Sequence, residues 1–245
     1  MRLPGVREMI IHKLIAQHLK HRDDADFYSL QAEDAISWIA RQGVAIGPKT
    51  TALDLGCGHG IFGDALKRMG CSVTFADESN YLMPSVKDAP YRKINLDRDD
   101  FSVLGRYDLV ICSNVLEHLS RPKEFLANIH QILTPGGHFF LSWTNWLSPW
   151  GGHEFSPFHY LGPKLGVKAY DSLVKRKRIH TPFENLFPTN IGAMLKEVRR
   201  NKRVRLVAAA PRYYPEFSFI LRLPVIREFL TWNCALLLQA QPADC

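Results

Sequence analysis

The sequence predicts an α/β domain built around a mostly parallel sheet. Short apolar segments alternate with amphipathic ones between residues 51 and 144, which is the pattern of strands joined by crossover helices. The chain has 245 residues, of which 46% are hydrophobic and 22% charged, so it is long enough to bury a real core and has a globular composition. Its apolar runs all fall short of the roughly 18 residues that a membrane-spanning helix needs.

Two helices are predicted before the alternating region. Hydrophobic residues recur at helical spacing over residues 6–20, which indicates an amphipathic helix that packs on the core or lies on a membrane surface. A second helix is predicted over Ala25–Arg41, with Gly43 as the residue that stops it.

The alternating region begins with a strand at Thr51–Leu55, a glycine-rich turn and a helix at Ile61–Met69. The strands that follow are predicted at Ser72–Ala76, Arg92–Leu96, Tyr107–Ser113 and His138–Thr144. Before the last of these, an apolar stripe at helical spacing predicts a helix that starts at Pro122 and is stopped by Pro135-Gly136-Gly137; the stripe consists of Phe125, Leu126, Ile129, Ile132 and Leu133.

The alternation stops after residue 145. Residues 146–190 contain eight aromatic residues among many glycines and prolines, and a segment this long without a regular pattern predicts a functional lid with some local structure. Regular elements return as a helix at Ile191–Arg200 and strands at Val204–Ala210 and Asn233–Gln239.

A glycine-rich loop joins the first strand to the next helix. Residues 53–60 read LDLGCGHG, and alternating glycines before a helix let a ligand come close to free backbone N–H groups. Residues 58–63 also fit the G-x-G-x-x-G pattern of dinucleotide sites, with Asp77 at about the expected distance. Asp54, however, lies at the tip of the strand, where it would repel a pyrophosphate and attract a cation. S-adenosylmethionine fits this charge because it carries a sulfonium and an ammonium group but no phosphate.

LDLGCGHG resembles the first motif of class I S-adenosylmethionine-dependent methyltransferases. Further segments resemble the family's motifs in order over about residues 45–145, namely VTFADES, KINLDRDD, YDLVICSNVLEHL and ILTPGGHFFLSW. The resemblance implies a Rossmann-like, seven-stranded sheet with helices on both faces and an antiparallel last strand, here residues 233–239. It also implies S-adenosylmethionine at the carboxyl ends of the strands.

The resemblance assigns a set of residues to the cofactor site: Asp54, Gly56, Cys57, Gly58, Asp77, Glu78, Leu96, Asp97, Ser113 and Asn114. Asp77 matches the acidic residue that holds the ribose hydroxyls. Leu96 and Asp97 match the pair that contacts adenine, and Asn95 is the alternative if the register is shifted by two residues. Ser113 and Asn114 would lie beside the methionine part.

Glu117 and His118 are the candidate catalytic pair, because they follow the fourth strand near the expected methyl position. An oxygen acceptor must lose a proton, which calls for a general base or for a metal that lowers its pKa. VLEHL is similar to the VxEHV-like segment of ubiquinone-biosynthesis-type O-methyltransferases in the methyltransferase type 11/12 group, where this segment lies near the acceptor. His118 is therefore the candidate base, with His153 and His159 as alternatives; a structural role for each stays open.

A divalent metal site is a separate hypothesis. Glu117, His118 and His153 would offer a carboxylate and two imidazoles. The arrangement is similar to the E-x-x-E-H segment and later histidine of small-RNA 2′-O-methyltransferases. This chain has Asn114 in place of the first glutamate, which weighs against the site, so no metal is expected.

The residues after the fifth strand are expected to build the acceptor pocket or a small local core. Their aromatic side chains can stack on a ring or cover a lipid chain; they are Trp143, Trp146, Trp150, Phe155, Phe158 and Tyr160. We expect one domain over residues 1–245, with a helical cap over 1–44, a cofactor-binding core over 45–145, an acceptor lid over 146–190 and a C-terminal helix and strands over 191–245. The expected reaction is O-methylation of a small molecule, lipid-linked metabolite or glycan.

The net charge of +7 and the basic runs at 175–178 and 199–205 suit either a solvated face or a polyanionic partner. An RNA methyltransferase is thus one alternative, although no separate RNA-binding module accompanies the charge and nucleic acid is disfavoured. A catalytically silent cofactor-binding scaffold is another. Five scattered cysteines indicate reduced thiols and a cytoplasmic location, and residues 217–230, which mix apolar residues with arginines, keep open a peripheral contact with the inner face of the membrane.

Overall fold

The structure is a computed structural model that describes residues 25–174 and 177–242. The helix predicted over residues 6–20 lies outside these ranges, as do Lys175 and Arg176 of the first basic run and Cys245.

The described strands form one seven-stranded sheet. They are β1 (Thr51–Leu55), β2 (Ser72–Asp77), β3 (Tyr91–Lys93), β4 (Tyr107–Ser113), β5 (Leu133–Thr144), β6 (Val204–Pro211) and β7 (Asn233–Ala240). Their order is β3-β2-β1-β4-β5-β7-β6. The first five strands pair in parallel, whereas β7 runs antiparallel to both β5 and β6. The predicted Rossmann-like sheet with an antiparallel last strand is confirmed.

Helices cover both faces of this sheet. They are α1 (Ala25–Arg41), α2 (Ile61–Arg68), α3 (Pro122–Asn128), α4 (Gly162–Leu173), α5 (Ile191–Arg200) and α6 (Ile226–Leu230). Strand β4 is buried on both sides: its Val110 belongs to the hydrophobic core that includes α3 and α5, and its Leu109 to the core that includes α1 and α2. A central parallel strand needs such two-sided burial, which explains the continuous apolar run in its sequence. No helix among the described residues is long and apolar enough to cross a membrane.

Three elements differ from their predicted extents. Strand β3 ends at Lys93, because the side chains of Asn95 and Asp99 bond to backbone N–H groups and turn the chain there. Helix α3 ends at Asn128 and a 3₁₀ turn completes the predicted apolar stripe. The Pro-Gly-Gly segment lies inside β5, at a register shift between β4 and β5, rather than before the strand.

The aromatic segment contains more regular structure than its sequence pattern predicts. Two 3₁₀ turns, His153–Phe155 and Phe158–Leu161, lead into helix α4. Gly166 lies where a side chain would overlap the backbone of Phe158 and the ring of Phe155, so α4 packs tightly on the turns before it. Glycine in a helix conceals such an element from a sequence pattern.

Candidate functional site

The glycine loop after β1 combines close packing with an open side. Gly56, Gly58 and Gly60 all have positive φ, at +69°, +51° and +80°, which favours glycine. A Cβ on Gly56 would overlap the side chain of Val115, whereas a Cβ on Gly58 would meet no atom within 4 Å. The loop therefore presents free space at Gly58, as a cradle for a ligand requires.

Acidic and amide side chains gather beside this loop, at the carboxyl ends of β2 and β3. The Asp77 carboxylate accepts the N–H of Gly58 at 2.8 Å and that of Glu78 at 2.7 Å. Asn95 Nδ2 donates to Glu78 Oε1 at 2.9 Å. Residues predicted for one site from separate segments thus lie within hydrogen-bond distance of one another.

The remaining residues predicted near adenine have other contacts. The Asp97 carboxylate accepts the backbone N–H groups of Ser120 and Arg121 at 3.0 and 3.1 Å and so ties the end of β3 to the loop after β4. Leu96 is half-buried and packs against the core. Of the polar side chains considered for this position, Asn95 is the one that lies beside Glu78.

Asp54 is buried at the end of β1 and caps the neighbouring helix. Its Oδ2 accepts the N–H of Gly63 in the first turn of α2 at 2.8 Å. Burial raises the pKa of Asp54 to about 7, an effect that the Gly63 hydrogen bond opposes and the nearby charge of Asp77 reinforces. The protonated and ionised forms of Asp54 are therefore close in free energy at neutral pH, and a cation bound close by would favour the ionised form.

The thiol of Cys57, in the same loop, is half-buried and free. Burial raises its pKa, and the charges of Asp54 and Asp77 raise it further. The thiol is therefore protonated at neutral pH and is no nucleophile.

Ser113 and Asn114 meet a buried arginine at the end of β4. The Arg212 guanidinium donates to the hydroxyl oxygens of Ser113 and Ser142 at 3.0 and 3.1 Å, and to the backbone carbonyl of Gln31 at 3.2 Å. Its longest contact, 3.5 Å, is to the amide oxygen of Asn114. All of these acceptors are neutral.

Arg212 also lies over the ring of Phe62 at 5.4 Å, and burial lowers its pKa. A buried guanidinium whose hydrogen-bond acceptors are neutral has capacity for an anionic group. Sequence patterns alone do not single out Arg212; the available signal is a charged residue directly after an apolar strand.

Glu117 and His118 are neighbours in sequence, but their side chains have different environments. Glu117 is buried, and its Oε1 accepts the backbone N–H of Thr144 at 3.0 Å. Burial raises the pKa of Glu117, against the opposing effect of His118. Among the described residues, its Oε2 has no hydrogen-bond partner.

His118 lies instead in a cluster of three imidazoles with His153 and His180. The ring centroids are 5.3 Å apart for His118 and His153, 5.2 Å for His118 and His180, and 4.7 Å for His153 and His180. One ring nitrogen from each residue lies within 4.8 Å of the other two, and all three side chains are half-buried. This histidine cluster includes the two histidines of the metal hypothesis, but it has His180 in place of Glu117.

Two hydrogen bonds orient the histidine cluster. His118 Nδ1 lies 2.8 Å from the carbonyl oxygen of Asn185, and His180 Nδ1 lies 2.6 Å from Glu154 Oε2. Burial, together with the two neighbouring imidazoles, lowers the pKa of His153 to about 3. His153 is therefore a neutral imidazole at neutral pH. No sequence pattern marks His180. It joins the cluster only because the fold brings the segment after α4 against His118 and His153.

The aromatic segment after β5 divides into a buried part and an exposed part. Trp143 still belongs to β5 and to the main hydrophobic core, and Trp146 and Phe155 are buried, whereas Trp150 and Tyr160 are exposed. His159, an alternative base in the sequence analysis, is also buried, and its Nε2 lies 3.1 Å from the carbonyl oxygen of Ser148.

Comparison with known proteins gives a consistent result. A family model described as a methyltransferase domain matches residues 27–180. An uncharacterized methyltransferase of Mycobacterium marinum is 32% identical over 238 residues and covers 88% of each chain. One of Mycobacterium bovis is 33% identical over 240 residues and covers 89% of each chain.

Solved structures share the fold at lower identity. An S-adenosylmethionine-dependent methyltransferase from Mesorhizobium loti superposes with a TM-score of 0.55 at 19% identity, over 85% of this chain and 99% of that one. A 1,6-didemethyltoxoflavin-N1-methyltransferase from Burkholderia thailandensis, with 1,6-didemethyltoxoflavin and S-adenosylhomocysteine bound, has a TM-score of 0.53 at 14% identity, over 99% and 94% of the two chains. The [4+2]-cyclase SpnF also matches, with a TM-score of 0.53 at 12% identity, over 87% and 83%.

Proposed function

This chain belongs to the class I S-adenosylmethionine-dependent methyltransferases, and on that premise we propose that it methylates a hydroxyl oxygen of a small molecule, lipid-linked metabolite or glycan. S-adenosylmethionine, when bound, supplies a methyl group on an already activated sulfonium. The protein must therefore align the acceptor and manage the acceptor's proton.

The proposed cofactor site lies at the carboxyl ends of β1, β2 and β4. Its support is the free space at Gly58 beside the carboxylate of Asp77, which would hold the ribose hydroxyls. Glu78 and Asn95 lie next to Asp77, and we assign the polar contact with adenine to Asn95 because the carboxylate of Asp97 is bonded to the loop after β4.

Two charged residues suit the methionine part of the cofactor. Asp54 would attract its ammonium group, directly or through water, since the buried carboxylate gains stability from a nearby cation. Arg212 would bind its carboxylate, because the guanidinium is buried beside Ser113 and Asn114 and its described hydrogen bonds go to neutral acceptors. Opposite charges at the two residues would fix the orientation of a zwitterion.

The observation that carries the proposed acceptor is the histidine cluster, in which His118 follows the end of β4 and His153 and His180 come from the segment after β5. A hydroxyl acceptor must lose its proton, and imidazoles are the side chains best suited to that task at neutral pH. His118 is the candidate base, because its Nδ1 is bonded to a carbonyl oxygen and its other ring nitrogen remains for a proton.

The test separates cofactor binding from turnover. Calorimetry with S-adenosylhomocysteine would measure binding, and release of S-adenosylhomocysteine would measure turnover over a panel of phenols, sugars and lipid-linked hydroxyl compounds. We expect His118→Asn to lower kcat by about 10²–10⁴-fold with cofactor affinity unchanged. His130→Asn is the matched control, since His130 Nδ1 also lies within hydrogen-bond distance of a backbone carbonyl, at 2.9 Å, but in the 3₁₀ turn after α3. Failure of the wild-type protein to bind S-adenosylhomocysteine would contradict the proposal.

The same assays address the alternatives. Cofactor binding with no turnover on any acceptor would favour a silent scaffold. The structural match to a cyclase shows that this fold supports more than one chemistry. Turnover on RNA, with a steep loss of binding as salt rises, would favour an RNA methyltransferase.

For location we propose a cytoplasmic enzyme that contacts a membrane surface when it acts on a lipid-linked acceptor. The support is a group of exposed hydrophobic side chains beside the exposed Arg222, which suits an anionic bilayer. The group consists of Phe217, Phe219, Leu223, Val225, Ile226, Phe229 and Leu230.

A further inference from the structure

The histidine cluster holds its three imidazoles in different orientations: the rings of His118 and His180 are stacked at 29°, and the ring of His153 stands at 70° to that of His180. One ring nitrogen from each residue lies within 4.8 Å of the other two, so the three imidazoles are close enough to bind a single ion between them. Both His118 and His180 lie beside His153, so that the three rings form a triangle.

The hydrogen bonds of the cluster leave one nitrogen available on each of two rings. A carbonyl oxygen can only accept, so the Nδ1 of His118 carries the proton that is donated to Asn185, and in the neutral ring the Nε2 is then the nitrogen with a lone pair for a ligand. His180 is tied in the same way to Glu154, whose other carboxylate oxygen accepts the backbone N–H groups of Ile179 and His180. A carboxylate or carbonyl behind a histidine is the usual arrangement in protein metal sites, because it fixes the ring and raises its basicity.

The backbone also holds His153 in an unfavourable conformation. Its φ is +52°, in the left-handed region that non-glycine residues rarely adopt. Such a conformation is unfavourable for a residue with a Cβ and persists where the surroundings require it. Here it accompanies the placement of the imidazole against the rings of both His118 and His180.

We propose that His118, His153 and His180 bind a divalent transition-metal ion, with zinc as the best match. Three imidazoles suit zinc, cobalt, nickel or iron, and do not suit magnesium or calcium, which prefer oxygen ligands. Nitrogens at about 2.1 Å from a tetrahedral ion lie roughly 3.4 Å apart, so the ring nitrogens need to approach by no more than about 1.4 Å.

A catalytic role for the metal site rests on the proposed function, the methylation of a hydroxyl oxygen. An ion with three protein ligands keeps a fourth position open, and there it would lower the pKa of the acceptor hydroxyl in place of the base His118. The hydroxyl proton would pass to solvent, the oxygen–carbon bond would form, and the sulfur–carbon bond would break with its electron pair on sulfur.

The test is metal binding by tag-free protein, independent of activity. Chelator-treated protein would be titrated with Zn²⁺ against a chromophoric chelator, and with Co²⁺, whose visible absorption reports tetrahedral coordination. We expect one ion per chain. His180→Asn and His153→Asn should each weaken Zn²⁺ binding by at least about 100-fold, and Glu154→Gln, which removes only the supporting charge, by about 10–100-fold. His130→Asn should leave it unchanged.

Each variant would also be titrated with S-adenosylhomocysteine to verify folding. If the protein binds S-adenosylhomocysteine but does not bind zinc stoichiometrically, the metal site is overturned and the proposed function stands. Zinc binding that survives His180→Asn in a folded variant would likewise overturn the metal site. Stoichiometric, histidine-dependent zinc binding without S-adenosylhomocysteine binding would support the metal site and contradict the proposed function.

Discussion

Gly58→Ala should weaken cofactor binding without unfolding the protein. The added methyl group meets no protein atom within 4 Å, so the only cost to the fold is the positive φ of +51°. For a residue with a Cβ this cost is about 1–2 kcal/mol, well below a typical unfolding free energy of about 5–15 kcal/mol.

The same methyl group would occupy the proposed cradle of the cofactor. Overpacking by one methyl group costs about 1–3 kcal/mol, which corresponds to about a 5–150-fold increase in the Kd for S-adenosylhomocysteine. Gly43→Ala is the matched control, because Gly43 also has a positive φ, +89°, and open space on the Cβ side, but lies after α1.

The assay combines urea unfolding with calorimetry. Both variants should lose similar unfolding free energy, and only Gly58→Ala should lose affinity. An affinity of Gly58→Ala within twofold of the wild type, in a folded protein, would refute the placement of the cofactor against this glycine.

Three further predictions concern charge and surface. The raised pKa of Asp54 means that its contribution to the stability of the cofactor-free protein is present below about pH 4 and is lost as the pH rises through about 7, by up to about 4 kcal/mol. Asp54→Asn should therefore be more stable relative to the wild type at pH 8 than at pH 5 in urea unfolding, and an equal difference at both would contradict the assigned burial. Arg212→Met should raise the Kd for S-adenosylhomocysteine by about 30-fold or more but change that for adenosine, which has no carboxylate, much less; equal losses would indicate a structural role. Replacing Phe219 and Phe229 by serine should weaken sedimentation with anionic vesicles, whereas the same change at the exposed but remote Val103 should not, and equal effects would exclude the membrane surface.

Local sequence signals predicted the central part of the fold well. Thr51–Leu55 and Tyr107–Ser113 occur as predicted, because a buried parallel strand needs a continuous apolar run between turn residues. Helix Ile191–Arg200 also occurs as predicted, since its buried residues recur at helical spacing. Helix α4 was not predictable in this way, because Gly162, Pro163 and Gly166 weaken its helical signal and its packing on the preceding turns compensates.

The sequence by itself determined the class of protein, since the glycine loop and the strand pattern are local features that follow from backbone sterics and hydrophobic periodicity. Only the tertiary structure decided which side chains meet at the site. Arg212 reaches Ser113 across 99 residues of chain, and the carbonyl that orients His118 belongs to a residue 67 positions away. Contacts of this kind depend on how the sheet and the lid pack, and short-range periodicity carries no information about them.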